Sequence, residues 1–123
     1  MKKRQRILIV DDHPALREGL KAIFSYSPFF DIVGEAADGL EALISIERLL
    51  PDLVLMDISM PRMDGLAATR EIKKKWPGIK VLVFTNQNTP EYETAVLKAG
   101  ADGYLIKDSS SAKLIQSIKD IMD

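Results

Sequence analysis

Five groups with chemical potential each follow directly on a short apolar run. Asp11 and Asp12 follow Ile7 to Val10, Asp57 follows Leu53 to Met56, Thr85 follows Phe84, and Lys107 follows Tyr104 to Ile106. Taken alone, Asp57 is an ordinary turn-starting aspartate ahead of a proline-containing loop; the other four groups give it a different meaning. Carboxylates held close together repel and raise one another's pKa values. A hard divalent cation relieves that repulsion, and Mg²⁺ (or Mn²⁺) suits one or two carboxylates plus water and phosphate oxygens. A carboxylate can also attack phosphorus and form an aspartyl phosphate. The three equatorial oxygens of a transferring phosphoryl group then need countercharge and hydrogen bonds, which a metal, an ammonium and a hydroxyl supply. The inventory therefore points to phosphoryl transfer with an aspartate as acceptor.

These groups meet only if the apolar runs are strands of one parallel sheet, whose C-terminal ends all point the same way. The chain supports that arrangement. Arg6–Val10, Phe30–Ala36, Leu53–Asp57, Lys80–Phe84 and Tyr104–Ile106 are strand-like, and the unalternating run Leu53 to Met56 fits a strand covered on both faces. Helical patterns alternate with them. Pro14 opens the first, with Leu16, Leu20, Ile23 and Phe24 at helical spacing, and Ser27-Pro28 closes it. Asp38 and Glu41 have capping-box spacing for a second, whose apolar stripe is Leu40, Leu43, Ile44 and the Ile46/Leu50 pair. A third runs from about Asp64 to Trp76 and breaks at Pro77-Gly78. Thr89-Pro90 opens a fourth, through Ala99 with Gly100 as its C-cap. Leu114, Ile115, Ile118 and Ile121 mark a fifth. Five strands alternating with five helices imply a doubly wound α/β fold, a (βα)5 three-layer sandwich. The second strand breaks the pattern at the chemical edge, ending in Glu35-Ala36-Ala37.

The totals are those of one globular domain. The 123 residues are 46% hydrophobic and 28% charged with a net charge of −1, which gives no electrostatic case for nucleic-acid binding. The absence of cysteine excludes disulfides and thiolate metal sites and fits a reducing compartment. The basic lead-in Met1 to Arg6 reads as a solvated flank. The four apolar residues after it are too few for a signal peptide or a membrane span. The expected location is cytoplasmic.

With Asp11-Asp12, Asp57 and Thr85 at three strand ends and Gly100-Ala101-Asp102-Gly103-Tyr104-Leu105-Ile106-Lys107 leading into the fifth, the chain resembles a CheY-like response-regulator receiver domain of bacterial two-component systems. The resemblance covers residues 1–123 as a single phosphoacceptor domain with no output domain in this chain. Asp12-His13-Pro14 and Gly103 to Asp108 are most similar to the NarL/FixJ branch, whose members usually carry a C-terminal helix-turn-helix. It implies a flavodoxin-like sheet in order 2-1-3-4-5 and a signalling switch, not an enzyme beyond its own phosphorylation and dephosphorylation. Asp57 would accept the phosphoryl group from a sensor histidine kinase or a phosphotransfer protein. Asp11, Asp12, Asp57 and the Ser59 backbone carbonyl would hold Mg²⁺. Lys107 would pair with Asp57 and then with its phosphate. Thr85 would bond the phosphate, and Tyr104 would turn inward with it, reshaping the face of the fourth helix, fifth strand and fifth helix. Ser59 and Gln87 occupy variable positions that tune hydrolysis, and Asn86 stands where many members have alanine or glycine. Asp108 stands where many have proline, which leaves the geometry of the Lys107–Asp108 bond open. Partners do not include nucleic acid or membrane for this domain. A homodimer through the first and fifth helices, or through the fourth-helix face, is compatible with the sequence.

Other readings fit less well. A magnesium-dependent phosphohydrolase of the haloacid-dehalogenase type would have a second aspartate two residues after its nucleophile, which Asp57-Ile58-Ser59 and Asp12-His13-Pro14 lack. A receiver-like scaffold would have an incomplete acid set. A flavin-binding domain would have a Ser/Thr/Gly-rich loop where Asp11-Asp12 stands. His13, the only histidine, reads as helix-start packing, Trp76 as the end of a helix stripe, and Lys73-Lys74-Lys75 as a solvated helix face.

Overall fold

A computed structural model describes residues 3–123. Five strands, β1 (Gln5–Val10), β2 (Phe30–Ala36), β3 (Leu53–Met56), β4 (Lys80–Thr85) and β5 (Gly103–Ile106), form one parallel sheet in the order β2-β1-β3-β4-β5. Each crossover carries a helix: α1 (Pro14–Ser25), α2 (Gly39–Leu49), α3 (Gly65–Lys75) and α4 (Pro90–Lys98), with α5 (Ser111–Met122) after the last strand.

Alternation along the strands divides the core into two layers, one on each side of the sheet. Ile7, Ile9, Leu53, Leu55, Leu82 and Phe84 pack with Leu20 and Phe24 of α1 and Leu114 and Ile118 of α5. Leu8, Val10, Val54, Met56, Val81 and Val83 pack with Ala42 and Ile46 of α2, Ala68 and Ile72 of α3 and Val96 of α4. Every residue of β3 is buried, because the strand lies mid-sheet with helices above and below. The β1–β3 register sets Val10 beside Met56, so Asp11 and Asp57 leave the sheet side by side.

Two expectations about helices are corrected. The expected stripe of α2 holds only in part: Ile46 is buried and Leu43 packs partly buried on the core, but Leu40, Ile44 and Leu50 are exposed. Ile44 is 69% exposed and Leu50 55%, while Gly39, Ala42, Ser45 and Ile46 are buried. The small residues face inward because α2 lies close against its neighbours; a Cβ on Gly39 would stand 2.8 Å from the Met63 carbonyl oxygen. Nor is Lys73 solvated. Its Nζ donates to Asp102 Oδ2 at 2.9 Å, the Ile79 carbonyl at 3.0 Å and the Pro77 carbonyl at 3.2 Å, and Asp102 also accepts from the Val81 amide at 2.8 Å. Only Lys74 and Lys75 match the solvated reading. Trp76 caps α3 and packs partly buried on the core.

The basic lead-in also divides. Met1 and Lys2 lie outside the described residues, and Lys3 and Arg4 are exposed. Arg6 instead lies in β1, and its Nη1 donates to the Leu49 and Leu50 carbonyls at 2.8 and 2.9 Å. It thereby satisfies orphan carbonyls at the C-terminus of α2.

The N-terminus of α2 is tied to the β3–α3 loop. Asp38 Oδ1 accepts from the Glu41 amide at 2.9 Å, and Asp38 Oδ2 accepts from Arg62 Nε at 2.7 Å. Arg62 sits in the left-handed region at φ 61°, so that loop carries local strain held in place by this ion pair. The Glu41 amide foremost, and then the Arg62 guanidinium, hold the Asp38 carboxyl below its usual range against the opposing effect of burial. A carboxyl lower in the folded than in the unfolded state stabilises above the unfolded value of about 3.9 and loses that contribution as pH falls through the folded value. Asp38→Ala is expected to cost about 1–2 kcal/mol in urea denaturation at pH 7. The difference from wild type should shrink below about pH 4; a pH-independent difference would mean that only the cap shape matters.

Candidate active site

Three strand ends fix the centre of the site. The Asp11 amide donates to the Ala36 carbonyl at 3.0 Å and the Asp57 amide to the Val10 carbonyl at 2.9 Å. The Lys107 amide donates to the Thr85 carbonyl at 2.9 Å. Main-chain bonds therefore position the two acids, the lysine and the threonine before any side chain contributes. Lys107 Nζ bridges the carboxylates, 2.7 Å from Asp11 Oδ2 and 3.2 Å from Asp57 Oδ2. The Lys107–Asp108 bond is trans. Asp57 Oδ1 accepts from the Ile58 amide at 2.8 Å.

Asp11, Asp57 and Thr85 are buried and Asp12 is partly so. Burial foremost, and then the neighbouring Asp11 charge, push the Asp57 carboxyl up, against the pull of Lys107 and the Ile58 amide. One ammonium thus serves two buried carboxylates. Lys107→Met is expected to cost about 3 kcal/mol in denaturation with EDTA present, because it leaves both acids uncompensated. Adding Asp57→Asn should recover most of that loss. Equal loss in single and double variants would show that Lys107 stabilises by packing alone.

His13 is not a packing residue, contrary to the expectation from sequence. Its side chain is 66% exposed, and its Nδ1 stands 2.9 Å from Asp11 Oδ1 and 3.1 Å from Asp12 Oδ1. The hydrogen bond to Asp11 and the charges of Asp12 and Asp11 raise its pKa. Asp12 Oδ1 is buried without a hydrogen-bond partner, so its 3.1 Å approach to His13 is an ion-pair contact only. One donor atom from each of Asp11, Asp12, His13 and Asp57 lies within 4.8 Å of all the others. Close carboxylates with one buried oxygen unbonded fit a divalent cation.

Beside this cluster the β4–α4 loop links the remaining candidates. The Gln87 amide donates to Thr85 Oγ1 at 3.3 Å, Gln87 Nε2 donates to Ser59 Oγ at 3.4 Å, and the Tyr104 hydroxyl donates to the Gln87 carbonyl. Tyr104 is partly buried against the core. Ser59 and Asn86 are exposed. The structure thus gathers Asp11, Asp12, Asp57 and Lys107 in one cluster and Ser59, Thr85, Gln87 and Tyr104 along one loop. Arg17 escaped the sequence reading. Its Nη1 donates to the Asp11 carbonyl at 2.6 Å and its Nε to Glu35 at 2.9 Å, and Lys21 joins Glu35 at 2.9 Å. Glu35, the apparent exception at the sheet edge, therefore anchors the arginine that holds the Asp11 backbone. No local pattern pairs residues that far apart in sequence.

Four strand ends carrying this acid, lysine and hydroxyl set define a class, and comparison with known proteins bears it out. The sequence profile of the response regulator receiver domain matches residues 7–119, and the chain belongs to that family. It is a receiver domain of two-component response regulators of the NarL/LuxR type. It is 42% identical over 114 residues to the transcriptional regulatory protein DegU of Brevibacillus brevis, covering 93% of this chain and 48% of that protein. It is 40% identical over 112 residues to the nitrate/nitrite response regulator protein NarL of Escherichia coli (strain K12), covering 91% and 52% respectively. The chain spans about half the length of these curated relatives. A LuxR-family two-component response regulator from Aurantimonas sp. SI85-9A1 superposes with a TM-score of 0.92 at 37% identity, covering 98% of this chain and 86% of that one. The CheX-CheY-BeF3-Mg²⁺ complex from Borrelia burgdorferi gives 0.90 at 30% identity, covering 97% and 90%. Among the described residues no helix is long and apolar enough to cross a membrane.

Proposed function

We propose that Asp57 is the phosphoacceptor of a Mg²⁺-dependent switch, taking its phosphoryl group from a sensor histidine kinase or phosphotransfer protein. The observation that carries this is the pairing of Asp57 with Lys107 and Asp11 beside an unbonded, buried Asp12 oxygen. The Borrelia burgdorferi CheX-CheY-BeF3-Mg²⁺ complex supports the same chemistry here. Asp11, Asp12, Asp57 and the Ser59 carbonyl would hold the ion, which supplies charge neutralisation for phosphate oxygens.

In the transfer, an Asp57 carboxylate oxygen forms a bond to phosphorus as the phosphorus–nitrogen bond of the donor phosphohistidine breaks. The electron pair leaves with the imidazole. Lys107 Nζ, already at 3.2 Å, follows the charge from carboxylate to phosphate. Thr85 Oγ1 accepts from the Gln87 amide, which leaves its proton free to donate to a phosphate oxygen. A move of Thr85 toward phosphate shifts the Gln87 backbone, to whose carbonyl Tyr104 is bonded, and so reshapes the α4–β5–α5 face. Ser59 and Gln87 face each other across the entrance and set the access of hydrolytic water, and Asn86 flanks them. Residues 1–123 act as a single phosphoacceptor module in the cytoplasm. It catalyses only its own phosphorylation and dephosphorylation and controls an output of the transcription-regulator kind named among its relatives.

The test is intact mass after incubation with acetyl phosphate and Mg²⁺. One base-labile, acid-stable gain of one phosphoryl group, absent with EDTA, is expected. Steady turnover of a small phosphate ester with no protein adduct would favour a phosphohydrolase instead.

A further inference from the structure

The sheet end opposite the acid cluster carries a cavity that the phosphoryl chemistry does not use. It lies between the paired starts of β1 and β2, at Gln5 and Phe30, and the last two turns of α5. Its volume of about 730 Å³ is that of an ordinary small-molecule site. We propose that it binds a flat aromatic molecule bearing a single negative charge, of the aromatic carboxylate class.

The apolar wall is preformed. Phe30 is buried, and its ring packs edge-on against Phe24 with centroids 5.5 Å apart. Phe29 packs edge-on against Phe30 in turn, at 6.4 Å. The main chain holds Phe29 as well: its amide donates to Ser27 Oγ at 3.3 Å, and its carbonyl accepts from the Gln5 amide at 2.8 Å. Yet Phe29 is 50% exposed, and Met122 of α5 adds a further apolar side chain to the same lining. A phenylalanine fixed this firmly and left half open offers a ring against which another ring can pack, offset or edge-on.

The polar groups select the charge. Lys119 Nζ lies 4.3 Å from the centroid of the Phe29 ring, which places an ammonium at the aromatic wall. Lys3 lines the same cavity. Among the described residues neither lysine makes an ion pair with a carboxylate. Asp123 is also on the lining, and α5 ends there with the negative end of its dipole. A small, multiply charged anion such as phosphate is therefore opposed. One carboxylate on a ring system meets the lysines while the rings cover Phe29.

Titration of the protein with anilinonaphthalene sulfonate, a fused-ring anion, followed by amide NMR reads the site directly. One equivalent should shift the signals of Phe29, Phe30 and residues 116–123 and leave those of Asp11, Asp57 and Lys107 in place. Naphthoate should displace the probe and inorganic phosphate should not. Lys119→Gln should weaken the probe about ten-fold, the worth of one charge-assisted contact, and change the affinity of neutral N-phenylnaphthylamine by less than about twofold. Phe29→Ala should weaken both probes at least about ten-fold. No binding, or shifts centred outside the cavity, overturns the proposal, and the wild-type shift map does not depend on how either variant folds. Probe affinity that both substitutions leave within about twofold overturns it too. Equal weakening of both probes by Lys119→Gln, displacement by phosphate, or no displacement by naphthoate overturns the assignment to aromatic carboxylates.

Discussion

Asp57→Asn is expected to abolish labelling by acetyl phosphate while the protein stays folded. The amide is no nucleophile toward phosphorus, and no other carboxylate can substitute without displacing Lys107. Among the described residues Asp11 is the only other buried acid on that ammonium, and its second oxygen already accepts from the His13 amide. Intact mass should therefore show no gain of about 80 Da under conditions that label the wild type fully. Stability should not fall. Asp57 is a buried carboxylate beside Asp11, and its raised pKa means that its ionised form opposes folding. That penalty is fully present above the raised folded value and is relieved as pH falls through it. At neutral pH without divalent ions, the amide variant should melt at an equal or higher temperature than the wild type. Retained labelling would place the phosphoryl group elsewhere. A large drop in melting temperature would mean that the Lys107–Asp57 contact outweighs the repulsion.

The largest effect on stability should come from a residue that no chemistry singles out. Gly65 opens α3 directly beneath Asp57, and its amide donates to the Ile58 carbonyl at 2.9 Å. A Cβ there would stand 1.8 Å from the Asp57 carbonyl oxygen and 2.9 Å from Ile58 Cα. Those are backbone atoms pinned by the β1–β3 pairing, so no rotamer change gives relief. Gly65→Ala is expected to cost more than about 4 kcal/mol, or to fold only with Asp57 displaced. Denaturation reads the first outcome and loss of acetyl phosphate labelling the second. Gly19→Ala is the internal control. Gly19 lies within α1 with nothing inside 4 Å of a built Cβ, so alanine should stabilise by about 0.5–1 kcal/mol. If Gly65→Ala proved as harmless as Gly19→Ala, α3 would have to be mobile at its N-terminus.

Both predictions concern positions that sequence reading treated very unequally. Asp57 was legible because an unbroken apolar run ended on a charge, and the same logic gave Asp11, Thr85 and Lys107. Helix starts were equally readable at Asp38, Asp64 and Thr89, each of which accepts from the amide three residues on. Gly65 was not legible, because its need for a bare Cα comes from a loop that returns beneath it. Periodicity also misjudged part of α2, where Leu40, Ile44 and Leu50 look like core but are exposed, and Ala42 and Ser45 share the inner face with Ile46. Side-chain size is chosen there by the distance to the neighbouring helix, which is a tertiary quantity. Lys73 and Arg17 fail for the same reason. Their partners, Asp102 and Glu35, lie on other elements, and local charge patterns show only a solvated run.

The order of the strands has a consequence for how the working protein is made. β1 gains its β3 neighbour only after α1, β2 and α2 have been synthesised, and Lys107 arrives with the last strand. The cluster is drawn from nearly the full length of the chain, so its contacts are among the most non-local in the molecule. No growing or truncated chain that ends before β5 has the ammonium that offsets Asp11 and Asp57. Such a chain would leave two like charges on an unfinished sheet edge. On the proposed function, competence to accept a phosphoryl group would be reached only once Lys107 has joined Asp11 and Asp57.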